Sequence, residues 1–181
     1  MNVRIIAGKY GGRIIDAPDR RSTHAMSERI RNAMFNSIGD EVNNAKILDA
    51  FAGSGSIGIE ALSRGASHVT FVEKDRIAAK IISQNIKMLQ LESRTTLIRT
   101  SVNNWLETSE IAKFDIIFAD PPFHDPQQNT IEKLFRLLKT GALMVLSHIG
   151  KGEVPSVPGV VVVDNRSYGN AALTLYRLEN A

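Results

Sequence analysis

KILDAFAGSGSIGIEALSRG, residues 46–65, decides how this chain folds. Lys46 to Ala50 is a short apolar run of strand character, and it leads into a turn, Gly53-Ser54-Gly55-Ser56-Ile57-Gly58. From Ile57 to Arg64 the apolar residues recur at helical spacing. A strand, a glycine turn and a helix in that order open a nucleotide-binding α/β unit. The glycines let the backbone approach a ligand closely, and the start of the helix offers N–H groups. Twenty residues after Gly53, Glu73 closes a second strand-like run, HVTFVEK (68–74), where a carboxylate can accept both hydroxyls of a ribose.

Downstream the alternation continues. Helical periodicity over 77–91 is followed by strands at 95–99 and 114–120, a helix at 130–138 and a strand at 141–147. The runs 160–164 and 172–178 flank Tyr168-Gly169-Asn170 and read as an antiparallel pair. Upstream, 3–7 and 13–17 flank Gly8, Gly11 and Gly12 as a hairpin, and Ser27 caps a helix that ends at Gly39. Alternating strands and helices imply right-handed crossovers. The expectation is an α/β fold of three layers: a seven-stranded, mostly parallel sheet with an antiparallel C-terminal edge, plus a small N-terminal hairpin and helix.

With 181 residues, 43% hydrophobic and 23% charged, the chain is long enough for one domain with its own core. It has no cysteine, which excludes a disulfide framework, a cysteine nucleophile and a cysteine-based zinc site. The four histidines have no ligand spacing, so no metal is expected. No apolar run is long enough for a bilayer or a secretory signal, and a cytoplasmic protein is expected. The net charge of +3 is uneven. Residues 1–31 carry seven basic groups against three acids, whereas the rest carries fifteen against sixteen. A basic segment on a near-neutral body suits contact with nucleic-acid phosphates.

The glycine turn alone admits NAD. Two features favour S-adenosylmethionine (AdoMet). Asp49, at the strand's end before the glycines, suits a ligand that carries an ammonium and no pyrophosphate. Asp120-Pro121-Pro122-Phe123 ends the fourth strand, beside the ligand crevice of an open α/β sheet. An exocyclic base amine is a poor nucleophile and needs acceptors for its N–H groups when it attacks. Asp120 and the Pro121 carbonyl can supply them on a backbone that proline stiffens, and Phe123 offers a face for a planar base.

These residues resemble the AdoMet-dependent amino-methyltransferases of the Rossmann-like class. More specifically, the chain resembles the bacterial enzymes that methylate guanine N2 in small-subunit (16S) ribosomal RNA. The likeness runs nearly end to end: the opening hairpin, THAMSERIRNAMF (23–35), DAFAGSGSIGIEALSRGA (49–66), FVEK (71–74), Asn85, FDII (114–117) leading into DPPF, and Tyr168-Gly169-Asn170. Within 23–35, His24, Ala25 and Met26 stand where Arg, Pro and Thr are usual, and Glu28 replaces Asp.

The resemblance implies an N-terminal RNA-facing extension, 1–40, and a methyltransferase domain, 41–181. It implies AdoMet held by Asp49, Phe51, Ala52, Gly53, Ser54 and Gly55, with Glu73 and Lys74 at the ribose and Ser101 and Val102 near the adenine. Asp120, Pro121, Pro122 and Phe123 would hold the target guanine, and Arg4, Lys9, Arg13, Arg29 and Arg31 the RNA. The implied partner is 16S rRNA, within the assembled small subunit; with no dimerisation helix or heptad in the sequence, a monomer is expected. Other readings are methylation of adenine N6, cytosine N4 or a protein glutamine, or a non-catalytic nucleotide-binding RNA module. Asn85 and Trp105 read as bracing and packing residues, and Asp75 as a helix cap.

Overall fold

In the computed structural model of the chain, residues 1–19, 25–108 and 110–180 are described. His24, with its neighbours Arg20, Arg21 and Thr23, lies outside them. The central sheet has seven strands: β3 (Lys46–Asp49), β4 (His68–Val72), β5 (Thr95–Ile98), β6 (Phe114–Ala119), β7 (Leu138–His148), β8 (Val160–Tyr168) and β9 (Ala171–Leu178). Their spatial order is β5-β4-β3-β6-β7-β9-β8. All run parallel except β9, which pairs antiparallel with both β7 and β8 and so sits one place in from the edge.

The strands read as unbroken apolar runs because both faces are covered. Ile47, Phe71, Ile116, Phe118 and Val145 face one cluster, shared with α1 (Glu28–Ile38), α2 (Ser56–Ser63) and α3 (Arg76–Met88). Leu48, Val72, Ile117 and Met144 face the other, shared with α4 (Val102–Leu106) and α5 (Gln128–Leu134). Trp105 packs in this second layer, its ring 6.5 Å from that of Phe114. Asp75 caps α3 by accepting from the N–H groups of Ile77 and Ala78.

β7 begins three residues earlier than its apolar run, and β8 continues five residues beyond its valines through Asp164-Asn165-Arg166-Ser167-Tyr168. As an edge strand β8 needs only one partner and is largely exposed, so its second half carries no apolar pattern. A bulge between Val162 and Asp164 interrupts its register.

The N-terminal hairpin, β1 (Asn2–Arg4) and β2 (Ile14–Asp16), pairs Val3 with Ile15. Ile5 and Ile15 join the same apolar cluster as α1 and α2. Its loop reaches α2 at Gly8, where φ is +82° and an added Cβ would lie 1.9 Å from the Ser63 carbonyl oxygen. Only glycine fits there. Strand order reverses between β3 and β6, which opens a crevice beyond their carboxyl ends.

Candidate active site

The glycine turn occupies that crevice. It is tied to both neighbouring strands: Ala50 N–H donates to the Phe118 carbonyl and Ala52 N–H to that of Val72, each at 3.0 Å. Gly53 and Gly55 adopt φ of +56° and +78°. Gly58 allows helix and sheet to close, since a Cβ there would meet the Phe71 ring at 2.4 Å. Glu73, beyond β4, locks the turn. Its Oε1 accepts from Gly53 N–H and its Oε2 from Asp75 N–H, both at 2.7 Å. Burial raises its pKa, and these two bonds oppose the rise.

Two of the N–H groups at the start of α2 are already taken. Gly58 N–H donates to Asp49 Oδ2 at 3.1 Å, and Ser56 N–H to Ser54 Oγ at 3.2 Å. The expectation of free N–H groups is corrected for these two: Asp49, at the end of β3, and Ser54, in the turn, take them. Asp49, 1% exposed, lies beneath the turn. Its pKa stands well above the ordinary carboxylate value, chiefly through burial and further through the charges of Asp120 and Glu73. Three acids thus converge at the ends of β3, β4 and β6. Among the described residues none of the three forms an ion pair with a basic side chain, and no acid or histidine cluster has a metal-binding arrangement.

Asp120 follows β6. The register pairs Ala119 with Leu146, so Asp120 stands beside Ser147 on the adjacent strand, and by alternation both face the α1–α2 layer. Burial pushes the Asp120 carboxyl up to about 6, held back by a hydrogen bond from the Ser147 hydroxyl. Pro121 is buried and Pro122 half-buried. Asp125 N–H closes a turn on the Pro122 carbonyl at 2.9 Å, leaving Phe123 46% exposed at the rim. Ser101 caps α4 by accepting from Asn104 N–H at 3.1 Å, and Val102 is buried. Phe51 is half-buried, Ala52 buried and Lys74 exposed around the turn, while His124 is exposed beside Phe123.

The basic N-terminal segment divides. Lys9, Arg13 and Arg29 are exposed, and Arg4 is exposed but paired with Glu28, Nε to Oε1 at 3.0 Å. Arg31 leaves the RNA-facing set: it is 1% exposed, its guanidinium donating to Glu60 Oε1 and to the carbonyls of Arg4 and Met26. A buried guanidinium needs such acceptors and cannot meet a phosphate at the surface.

Glu60 is a residue that sequence reasoning missed. Fully buried on α2, it also accepts from the N–H groups of Ile6 and Ala7 and from Arg64 Nε. Ser63 accepts from Tyr10 N–H and donates to the Ala7 carbonyl. Asn85 exchanges two hydrogen bonds with Asp16 and so braces the hairpin rather than β4. The available signal was one acid inside a helix all of whose eight residues are buried. A separate concavity of about 660 Å³, between Lys113, Phe135, Val160 and Leu178, lies at the opposite, amino edge of the sheet.

A parallel sheet with one inverted strand, a glycine turn after its first strand, and acids closing the first, second and fourth define a Rossmann-like methyltransferase fold. The solved structure of yhhF from Escherichia coli, provisionally named a methyltransferase, covers 100% of both chains with a TM-score of 0.90 at 29% identity. That of HI0767 from Haemophilus influenzae, provisionally named a methylase, covers 99% of this chain and 100% of its own, with a TM-score of 0.85 at 30% identity.

The chain belongs to the family described as Conserved hypothetical protein 95, which matches residues 3–177. A provisionally named rRNA methyltransferase of Bacillus subtilis, YlbH, is 30% identical over 181 residues, covering 97% of this chain and 98% of its own. Ribosomal RNA small subunit methyltransferase D of Escherichia coli K12 is 29% identical over 184 residues, covering 98% and 90%. No helix among the described residues is long and apolar enough to cross a membrane.

Proposed function

We propose that this protein transfers a methyl group from AdoMet to the exocyclic N2 of one guanine in small-subunit rRNA, within the assembled particle, acting as a monomer without a metal. The observation that carries the choice of cofactor is electrostatic. Asp49, Glu73 and Asp120 converge where Ser54 and Asp49 have already taken N–H groups at the helix start. A pyrophosphate would add charge to that repulsion, whereas a sulfonium with an ammonium relieves it. The residues therefore fit AdoMet better than NAD. Gly53, Ser54 and Gly55 give the backbone wall, and Glu73 keeps acceptor capacity for a ribose beside its two N–H bonds.

When bound, AdoMet supplies an electrophilic methyl group and leaves as a neutral thioether. The protein's own part is to bring an amine to it. Asp120 and the Pro121 carbonyl accept the N2 hydrogens, which turns the nitrogen lone pair toward the methyl and stabilises the positive charge that develops on the amine. The proton released from N2 passes to Asp120 or to water. With its pKa near 6, Asp120 is ionised at neutral pH and basic enough to share that proton. Phe123, exposed at the rim, stacks on the flipped base. The names of the relatives support ribosomal RNA as the substrate, and the exposed Lys9, Arg13 and Arg29 support an RNA contact.

The test is transfer of labelled methyl from AdoMet to unmethylated small subunits, followed by nucleoside identification. N2-methylguanosine as the labelled product, absent with Asp120→Ala, is the expected result. Label in another nucleoside, or full turnover by Asp120→Ala, contradicts the proposal.

A further inference from the structure

The C-terminal hairpin brings an unassigned aromatic residue to the same face as Asp120. The register pairs Ala119 with Leu146, Ser147 with Leu173, and Leu173 with Arg166. One row across the sheet therefore runs Asp120, Ser147, Leu173, Arg166. At about 4.8 Å between strands, Arg166 stands roughly 14 Å from Asp120. Tyr168 lies two residues further toward the carboxyl edge on the same face of β8, and it packs against the cluster beneath α1. There the exposed guanidinium of Arg29, from the first turn of α1, sits 5.9 Å from the Tyr168 ring. Arg166 is also exposed, its Nε bonded to Asp164 Oδ2 at 2.9 Å. The two ends of the chain thus meet in one half-exposed aromatic ring between two surface guanidiniums, level with the proposed guanine site.

That arrangement has the chemistry of a single-stranded RNA contact. Bases stack on aromatic rings, and guanidiniums beside them meet phosphates. An exposed cation–π contact is weak enough for a phosphate to draw on Arg29 while it stays beside the ring. A stacked nucleic-acid strand advances about 3 Å per nucleotide and lengthens where a base is flipped out, so a few nucleotides span roughly 14 Å.

We propose that Tyr168, braced by Arg29, is a second stacking platform that holds a base neighbouring the guanine at Asp120–Phe123, with Arg29 and Arg166 on the adjoining phosphates. This rests on the rRNA reading above and assigns part of its substrate recognition.

The experiment compares the unmodified protein with Tyr168→Leu, Tyr168→Phe and Arg29→Ala on unmethylated small subunits. The leucine keeps the apolar contact with the core and removes the aromatic face. For Tyr168→Leu the KM for subunits rises roughly 5- to 150-fold, the range for one lost base stack, while AdoMet affinity and Tm stay unchanged. Tyr168→Phe retains the original KM. Arg29→Ala weakens subunit binding and lowers its salt slope by about one. Ultraviolet cross-linking of the unmodified protein on the subunit places Tyr168 in an RNA-bonded peptide, which tests the contact without any substitution. An unchanged KM in Tyr168→Leu, or no cross-link at Tyr168, overturns the platform and leaves the rRNA reading standing if Asp120→Ala is inactive. Absence of any transfer to rRNA by the unmodified protein overturns both.

Discussion

Two groups of carboxylates lie inside this protein. Glu60, in the middle of α2, is surrounded by two backbone N–H groups and the guanidiniums of Arg31 and Arg64. Asp49, Glu73 and Asp120, at the carboxyl edge of the sheet, receive N–H or hydroxyl donors but no basic side chain among the described residues. Glu60 is neutralised from within, and its position ties hairpin, α1 and α2 together. Burial raises the pKa of each edge acid instead, and the charges of Asp120 and Glu73 raise that of Asp49 further, a pattern typical of functional sites. The difference teaches where positive charge is missing: the fold completes one site by itself and leaves the other to a cationic ligand.

The sharpest way to break this comparison is at Asp120. Asp120→Ala should lower methyl transfer by about 10²- to 10⁴-fold while AdoMet affinity falls by no more than about tenfold, because the side chain acts chiefly on the amine and only adds its charge to the cofactor site. Single-turnover transfer and calorimetric binding, measured on the same preparation, separate the two effects.

Glu60→Ala should do the reverse. It strips a buried acid from two guanidiniums, which costs about 3–5 kcal/mol of stability. For a domain of this size that lowers Tm by roughly 10 °C, read in a thermal scan. An unchanged Tm would show that Glu60 does not anchor the hairpin.

The edge acids also predict an unusual pH dependence. An acid whose folded pKa is raised to about 6, as for Asp120, binds its proton more tightly folded than unfolded. Its contribution to stability is therefore present at low pH and is lost as pH rises from about 4 to 6. The ligand-free protein should gain about 1 kcal/mol from this group between pH 7 and pH 5, seen in urea midpoints, and AdoMet should abolish that gain by favouring the ionised form. Ser63→Ala, which removes two hydrogen bonds between α2 and the hairpin loop, should cost the least, about 1–2 kcal/mol, with transfer to rRNA more affected than AdoMet binding.

Most of the fold and the centre of the site were legible because their signals are local. Unbroken apolar runs such as Phe114–Ala119 belong to strands covered on both sides, and glycines at 53, 55 and 58 mark a turn whose geometry excludes side chains. Asp120-Pro121-Pro122 announces the end of a strand by its own stiffness. What was not legible depends on partners far away in the chain. Arg31 reads as one more basic residue of an RNA-facing segment until Glu60 is seen beside it, 29 residues downstream. Asn85 meets Asp16 across 69 residues, and Tyr168 meets Arg29 only once the C-terminal hairpin has added itself beyond β7. Helical N–H groups at the start of α2 looked available because their acceptors, Asp49 and Ser54, could equally have faced outward.

The central claim is that the acids at the carboxyl edge await a cationic ligand. Calorimetric titration of the protein with AdoMet and, separately, with NAD, each at pH 7 and pH 5, tests it most directly. The expected result is one AdoMet per chain, bound about tenfold more weakly at pH 5 as Asp120 protonates, and no NAD binding at either pH. Binding of NAD, or an AdoMet affinity indifferent to pH, would contradict it.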